Sequence, residues 1–153
     1  MDPLEDIENQ FLKEINIVNQ NIKGLTTDQI IGVFCYNVRN QLFLNFNYIK
    51  LLSSLDKKAI IEIIRKNIIE VLGRGHEKAV IHVCLKSMSI TQIDKYLSLF
   101  KEAITIFRIE FPDRLERCYL YHCSSIFSYL YTLISRLLEK ETSSRIMLYK
   151  KDS

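Results

Sequence analysis

The chain has 153 residues, the length of one domain able to bury ~70% of its unfolded surface. Hydrophobic residues make up 48% and charged residues 25%, which excludes a disordered chain as the default. The net charge of +3 permits attraction to an anionic membrane surface, but it is too mild for the footprint of a nucleic-acid binder.

The start, Met1-Asp2-Pro3-Leu4-Glu5-Asp6, is acidic and lacks the basic and apolar regions of a signal peptide. No apolar run reaches the ~20 residues that span a bilayer. A soluble, cytoplasmic protein is the expectation. Cys35, Cys84, Cys118 and Cys123 are irregularly spaced, and three of them sit in apolar runs. They read as buried free thiols in a reducing compartment.

The first element, within residues 1–25, is an amphipathic helix: Leu4, Ile7, Phe11, Ile15, Val18 and Ile22 recur at spacings of three and four, and Gly24 ends it. Residues 30–36 and 42–48 read as strands of a hairpin, the second alternating Phe and Leu with Asn. Ser53 and Asp56, three apart, predict the start of a helix striped by Ile60, Ile64, Ile68 and Val71 and stopped at Gly73. Its outer cations, Lys57, Lys58, Arg65 and Lys66, together with Arg74 and Lys78, suit phospholipid headgroups. They suit equally an ordinary solvated face balanced by Glu62 and Glu70, the plainer reading. Gly73 to Lys78 is not a phosphate loop, because a helix precedes it and a strand follows.

Residues 79–85, Ala-Val-Ile-His-Val-Cys-Leu, are nearly all apolar, as in a strand covered on both faces. Thr91 and Asp94 then predict a helix whose stripe is Ile93, Tyr96, Leu97, Phe100, Ala103, Ile104 and Phe107, stopped at Phe111-Pro112. Residues 117–122 form an aromatic strand. Ser124 or Ser125 caps a helix running to about Leu138, Thr142 to Ser144 make a break, and 145–149 is a last strand. This β-α-β order predicts parallel strands with a right-handed crossover. The fold class is α/β: a mostly parallel sheet flanked by helices.

Between Ile126 and Leu138 only Ser128, Thr132, Ser135 and Arg136 are polar, and the first three form one thin seam. A helix apolar nearly all round must be covered on both sides, by the sheet and by protein, a partner or a greasy ligand. For chemistry, the best set is His82, Cys84, Cys118 and His122, which could converge from two neighbouring strands. Metal spacing is lacking, and neither an orienting acid nor oxyanion donors accompany any Cys–His pair, so no metal and no enzyme activity is expected.

The order "VIHVCLKSMSI", "FPDR", "YLYHCSSIF" and "LLEKETSSRI" over residues 79–149 resembles the CRAL-TRIO lipid-binding domain, which occurs in phosphatidylinositol, tocopherol and retinaldehyde transfer proteins. The resemblance continues more weakly upstream from about residue 30. It implies one CRAL-TRIO-like domain over residues 1–153 that binds a phospholipid or other hydrophobic molecule without catalysis. Lipid transfer, contact with a membrane surface and no cofactor follow from it. Ala79, Ile81 and Val83 on the strand and Phe127, Leu130, Tyr131, Ile134 and Ser135 on the helix would line the pocket. In the phosphatidylinositol-transferring branch an acid after the turn proline pairs with a Lys on that helix. The acid position matches Asp113, the Lys position Ser135, with Arg136 beside it. Polar headgroup contacts on the preceding strand match Ala79 and Ile81, so weak headgroup discrimination is implied. The chain is also close in size to the family's domains fused to Rho GTPase-activating modules, which often bind proteins. That supplies an alternative: a protein-interaction module or homodimer with no bound lipid.

Overall fold

The computed structural model describes residues 9–11, 13, 24–86 and 88–149. It has the α/β architecture: five strands lie side by side in sequence order. β1 (Cys35–Val38) is antiparallel to β2 (Gln41–Asn45). From β2 onward β3 (Ala79–Cys84), β4 (Leu115–Tyr121) and β5 (Ile146–Leu148) all run parallel. Every parallel step is crossed by helix. α2 (Lys57–Gly73) joins β2 to β3, α3 (Ile90–Lys95) and α4 (Leu97–Glu110) join β3 to β4, and α5 (Phe127–Ser135) and α6 (Lys140–Ser143) join β4 to β5.

The strand expected over 30–36 is mostly a helix, α1 (Thr27–Phe34), and the hairpin strand begins only at Cys35. A capping box decides it: the Gln29 amide donates to Thr26 Oγ1 at 3.2 Å, and the Thr26 amide to Gln29 Oε1 at 2.9 Å. An apolar run without clear period follows whichever end signal is stronger, and this one puts Ile30 and Phe34, four apart, into the core. The second strand ends early as well. Asn45 Oδ1 accepts the Asn47 amide at 3.1 Å and opens a 3-10 helix over Phe46–Leu52, burying Phe46, Tyr48, Ile49 and Leu52.

Helix starts differ from expectation in the same way. Asp56, not Ser53, caps α2, taking the Ala59 amide at 2.8 Å, while the Ile60, Ile64, Ile68 and Val71 stripe is buried as the period requires. Ser89, not Thr91, caps α3, and the helix breaks at Tyr96. Neither Ser124 nor Ser125 caps α5, which begins after Ile126, ends at Ser135, and gives way to turns over 136–138. The break expected at Thr142–Ser144 is largely the short helix α6. The helix expected at the start of the chain lies mostly outside the described residues. Of it, 9–11 and 13 are helical and Phe11 is buried.

Because side chains alternate along a strand, the sheet has two distinct interiors. On one face Phe43, Cys84, Tyr121 and Tyr149 form a largely aromatic cluster closed by Phe11, and the His82 ring stacks on Phe43 within it. Phe11 sits edge-on to Tyr121 (5.3 Å) and 4.8 Å from Phe43. On the other face Leu42, Leu44, Ile81, Val83, Cys118, Leu120 and Ile146 look toward α2, α4 and α5.

Candidate functional site: an apolar cavity beneath two helices

The second face is not fully packed. A cavity of about 170 Å³ lies between the sheet and the helices. Its floor is the aliphatic row from β2, β3, β4 and β5. Its walls are Ile64 and Ile68 of α2, Leu97, Phe100, Ala103, Ile104 and Phe107 of α4, and Leu130, Leu133 and Ile134 of α5. Of its lining, Lys101 and Thr142 are the residues with oxygen- or nitrogen-bearing side chains, and a Lys can present its aliphatic stem while its ammonium reaches water. Apart from the Thr142 hydroxyl and the Lys101 ammonium the wall offers a desolvated polar group no side-chain oxygen or nitrogen, so the space suits an apolar occupant.

The two covering helices are held unequally. Lys57 Nζ of α2 meets Glu102 of α4 at 2.8 Å and Ser98 Oγ at 3.0 Å, and Arg65 of α2 pairs with Glu62 and with Glu110 at the end of α4. α5 and the turn that follows it have, between them, two polar ties to the neighbouring helices among the described residues. Tyr129 Oη donates to Asp94 of α3, which holds the phenol above its usual range, and Arg108 Nη1 of α4 donates to the Leu137 carbonyl at 3.2 Å. Its hydroxyl seam turns on itself: Thr132 Oγ1 donates to the Ser128 carbonyl and Ser135 Oγ to the Thr132 carbonyl, with Ser128 and Thr132 exposed.

A second space of about 150 Å³ adjoins the cavity and shares Phe107, Leu115, Leu138 and Thr142 with it. Its other walls include Arg108, Asp113, Glu139 and Arg145, so it is a polar vestibule. Arg145 is fixed in it by donating to the Leu115 carbonyl at 2.6 Å and to Glu141 at 3.1 Å.

Of the residues expected at the pocket, Ile81, Val83, Leu130 and Ile134 line the cavity. Ala79 is fully buried but outside the lining, beside a register shift in the β3–β4 ladder. Phe127 and Tyr131 pack on each other, ring centres 5.9 Å apart, to the side of the cavity, and Ser135 is also off it. Asp113 is on the vestibule wall, whereas Arg136 is exposed and on neither wall, about 100° round the helix from Ser135. The sequence did not point to α4 as a wall of the cavity. Its signal was the apolar stripe from Ile93 to Phe107, which is also what a plain core helix shows.

The set His82, Cys84, Cys118 and His122 does not assemble. Ile81 pairs with Cys118 across the ladder, so Cys118 lies on the cavity face and His82 on the aromatic face. His82 is fully buried with both nitrogens engaged: Nε2–H donates to Gln41 Oε1 and Nδ1 accepts from Tyr121 Oη, each at 2.6 Å. Burial lowers its pKa to about 3, so it is a neutral core histidine. Burial pushes the Cys118 and Cys123 thiols up to about 12 and the Cys35 thiol higher still, which keeps them protonated. Among the described residues no group of three or more His, Cys, Asp or Glu could hold a metal ion, and no helix is long and apolar enough to cross a membrane.

Comparison with known proteins agrees with this geometry. A crystal structure of Sfh5 superposes with a TM-score of 0.62 over 91% of this chain at 16% sequence identity. The chain spans 57% of the length of that structure. No curated protein sequence matches. The family profile described as the CRAL/TRIO domain matches residues 58–153, from the first turn of α2 through β5 and therefore every wall of the cavity except β2 and Phe46. The chain belongs to the CRAL/TRIO domain family.

Proposed function

We propose that the protein binds an amphipathic lipid without chemically altering it, its tail enclosed between the sheet and helices α4 and α5. The observation that carries this reading is the cavity of about 170 Å³ with an almost wholly apolar wall, adjoined by a vestibule that holds Asp113 and two arginines. Apolar cavities of ~150 Å³ stay dry and take up small hydrocarbons, whereas pockets for larger ligands run from ~300 Å³ upward. In this reading the structure is the closed form, and an acyl chain enters by displacing α5, the less tied cover. Hiding several hundred Å² of lipid gains on the order of 10 kcal/mol at ~25 cal/mol per Å², before ordering costs. Headgroup selection is weak in this reading, since Ile81 faces the tail cavity and Arg136 stands away from the vestibule. The protein works in the cytoplasm, in transient contact with membranes, and transfers its lipid between them.

Native mass spectrometry of the purified chain tests the reading together with Leu130→Trp, which puts a larger ring into the cavity from α5. The expected result is a monomer carrying a phospholipid-sized adduct, lost in the variant while the circular dichroism spectrum is unchanged. A lipid-free dimer that becomes monomeric in Leu130→Trp would mean that the same face serves a second copy of the chain.

A further inference from the structure

The parallel strands all enter the sheet at one end, and cations stand at that end in a row. Lys78, Arg114 and Arg145 immediately precede β3, β4 and β5, and Arg39 lies two residues before β2. Arg74, in the turn after α2, joins them by donating from Nη1 to the Arg39 carbonyl at 3.0 Å. Arg114 Nη1 donates to the Glu77 carbonyl at 3.0 Å, and the amides of Ala79 and Val80 donate to the Arg114 and Asn40 carbonyls at 2.7 and 2.9 Å. These bonds lock the three turns 39–40, 74–78 and 113–114 into one surface. Two strand spacings make it ~10 Å wide, within a Debye length at physiological salt.

Arg39, Arg74, Lys78 and Arg114 have no carboxylate partner among the described residues, unlike Lys57 and Arg65 on the α2–α4 side. The carboxylates of the same turns are Glu77 and Asp113, both exposed, so the row is net cationic. Three of the turn residues, Arg39 (φ 56°), Gly75 (φ 94°) and Asp113 (φ 60°), hold the left-handed backbone that folds these tips back tightly. The vestibule opens at this same end, since Asp113 and Arg145 line it and Arg114 is the next residue along the turn.

We propose that this strand-entry end docks on an anionic lipid bilayer, setting the vestibule against the headgroups. Its cationic character stands on the geometry alone. The choice of a bilayer over another polyanion rests on the lipid-binding reading, because an apolar cavity adjoining the patch serves a membrane and not an acidic protein.

Vesicle flotation of the full chain tests it, with phosphatidylcholine vesicles against vesicles containing about one-third phosphatidylserine. The variants are Arg39→Gln/Lys78→Gln and, as a control of equal charge, Lys58→Gln/Lys66→Gln on the exposed side of α2. The expected result is salt-sensitive binding to the anionic vesicles alone. At roughly a tenfold factor per 1.4 kcal/mol, two lost contacts of ~1 kcal/mol each lower the partition about thirtyfold in the first variant and little in the control. Equal losses in both variants, or equal binding to neutral vesicles, would overturn the proposal. So would binding to polyglutamate or duplex DNA, with the same variant dependence, as tight as to the vesicles. A protein that carries lipid in the mass spectrometer yet ignores anionic vesicles loses only the docking surface, and one that floats with them but never carries lipid loses only the cavity reading.

Discussion

Ala103→Leu gives opposite signs for an open cavity and for a packed core. Ala103 is half-buried on α4 with its methyl on the cavity wall. A fully enclosed void of about 170 Å³ costs roughly 4 kcal/mol at ~24 cal/mol per Å³, and this one, with half-buried residues in its wall, costs less. Leucine adds three carbons to that space, at ~0.8 kcal/mol per buried methylene, and it is a good helix former. Delipidated Ala103→Leu should be about 2 kcal/mol more stable than delipidated wild type, a rise of ~4–8 °C in Tm for a chain of this size. Urea titration followed by circular dichroism measures the first quantity and calorimetry the second. If the space were already filled by side chains, the added carbons would overpack it and cost ~1–3 kcal/mol, and that loss would refute the cavity. Lipid occupancy gives the second readout. The stabilised variant should carry less lipid than wild type, and a variant that gains stability while keeping full occupancy would place the ligand elsewhere.

The buried His82 predicts a pH response with a definite sign: its folded pKa, about 3, lies below the ordinary ~6.5, so its contribution is present above pH ~6.5 and is lost as the pH falls toward 3, at up to ~1.4 kcal/mol per pH unit. Urea midpoints from pH 7 to 5 should therefore fall more steeply for wild type than for His82→Gln, and parallel curves would remove the histidine from the account. For the cover, Tyr129→Phe deletes the hydroxyl that reaches Asp94 and should speed exchange of a fluorescent lipid several-fold in stopped flow with little change in urea midpoint. Exchange at the wild-type rate would show that α5 is not the element that moves.

How much of this was legible in the sequence depended on whether an element had one strong signal or two competing ones. β3, β4 and β5 and the helical crossovers between them were readable because Pro112, Gly73 and the apolar runs all pointed the same way. Residues 30–34 were misread because five nearly continuous apolar positions fit a strand and a helix equally, and the Thr26–Gln29 box that settles the matter sits upstream of the run. The same competition moved the caps to Asp56 and Ser89, since any Ser, Thr or Asp near a helix start satisfies the pattern and only backbone geometry picks one. At the site, alternation along β3 placed Ile81 and Val83 on one face with His82 and Cys84 on the other. What a sequence cannot carry is the gap. The stripe on α4 is identical whether Phe100 and Phe107 press on the sheet or stand away from it.

That gap connects the two faces of the sheet. On the aromatic face every buried polar atom of His82 has a partner, its ring stacks on Phe43 at 4.6 Å, and Tyr121 stacks on Tyr149 at 4.4 Å. A network satisfied in this way fixes the strands relative to one another, because any shift of register would bury an unpaired donor or acceptor. On the cavity face the contacts are aliphatic, non-directional and incomplete, and among the described residues no buried hydrogen bond ties α5 to β4, which is what the proposed opening requires. The polar ties it gives up, from Tyr129 to Asp94 and from Arg108 to the Leu137 carbonyl, are both at the surface, where water replaces a lost partner cheaply. One sheet thereby supplies a rigid floor and a yielding cover. On the proposed function the chain opens to admit a tail and closes to hide it, which needs both, and the alternation of residues in β3 contributes to each from a single strand.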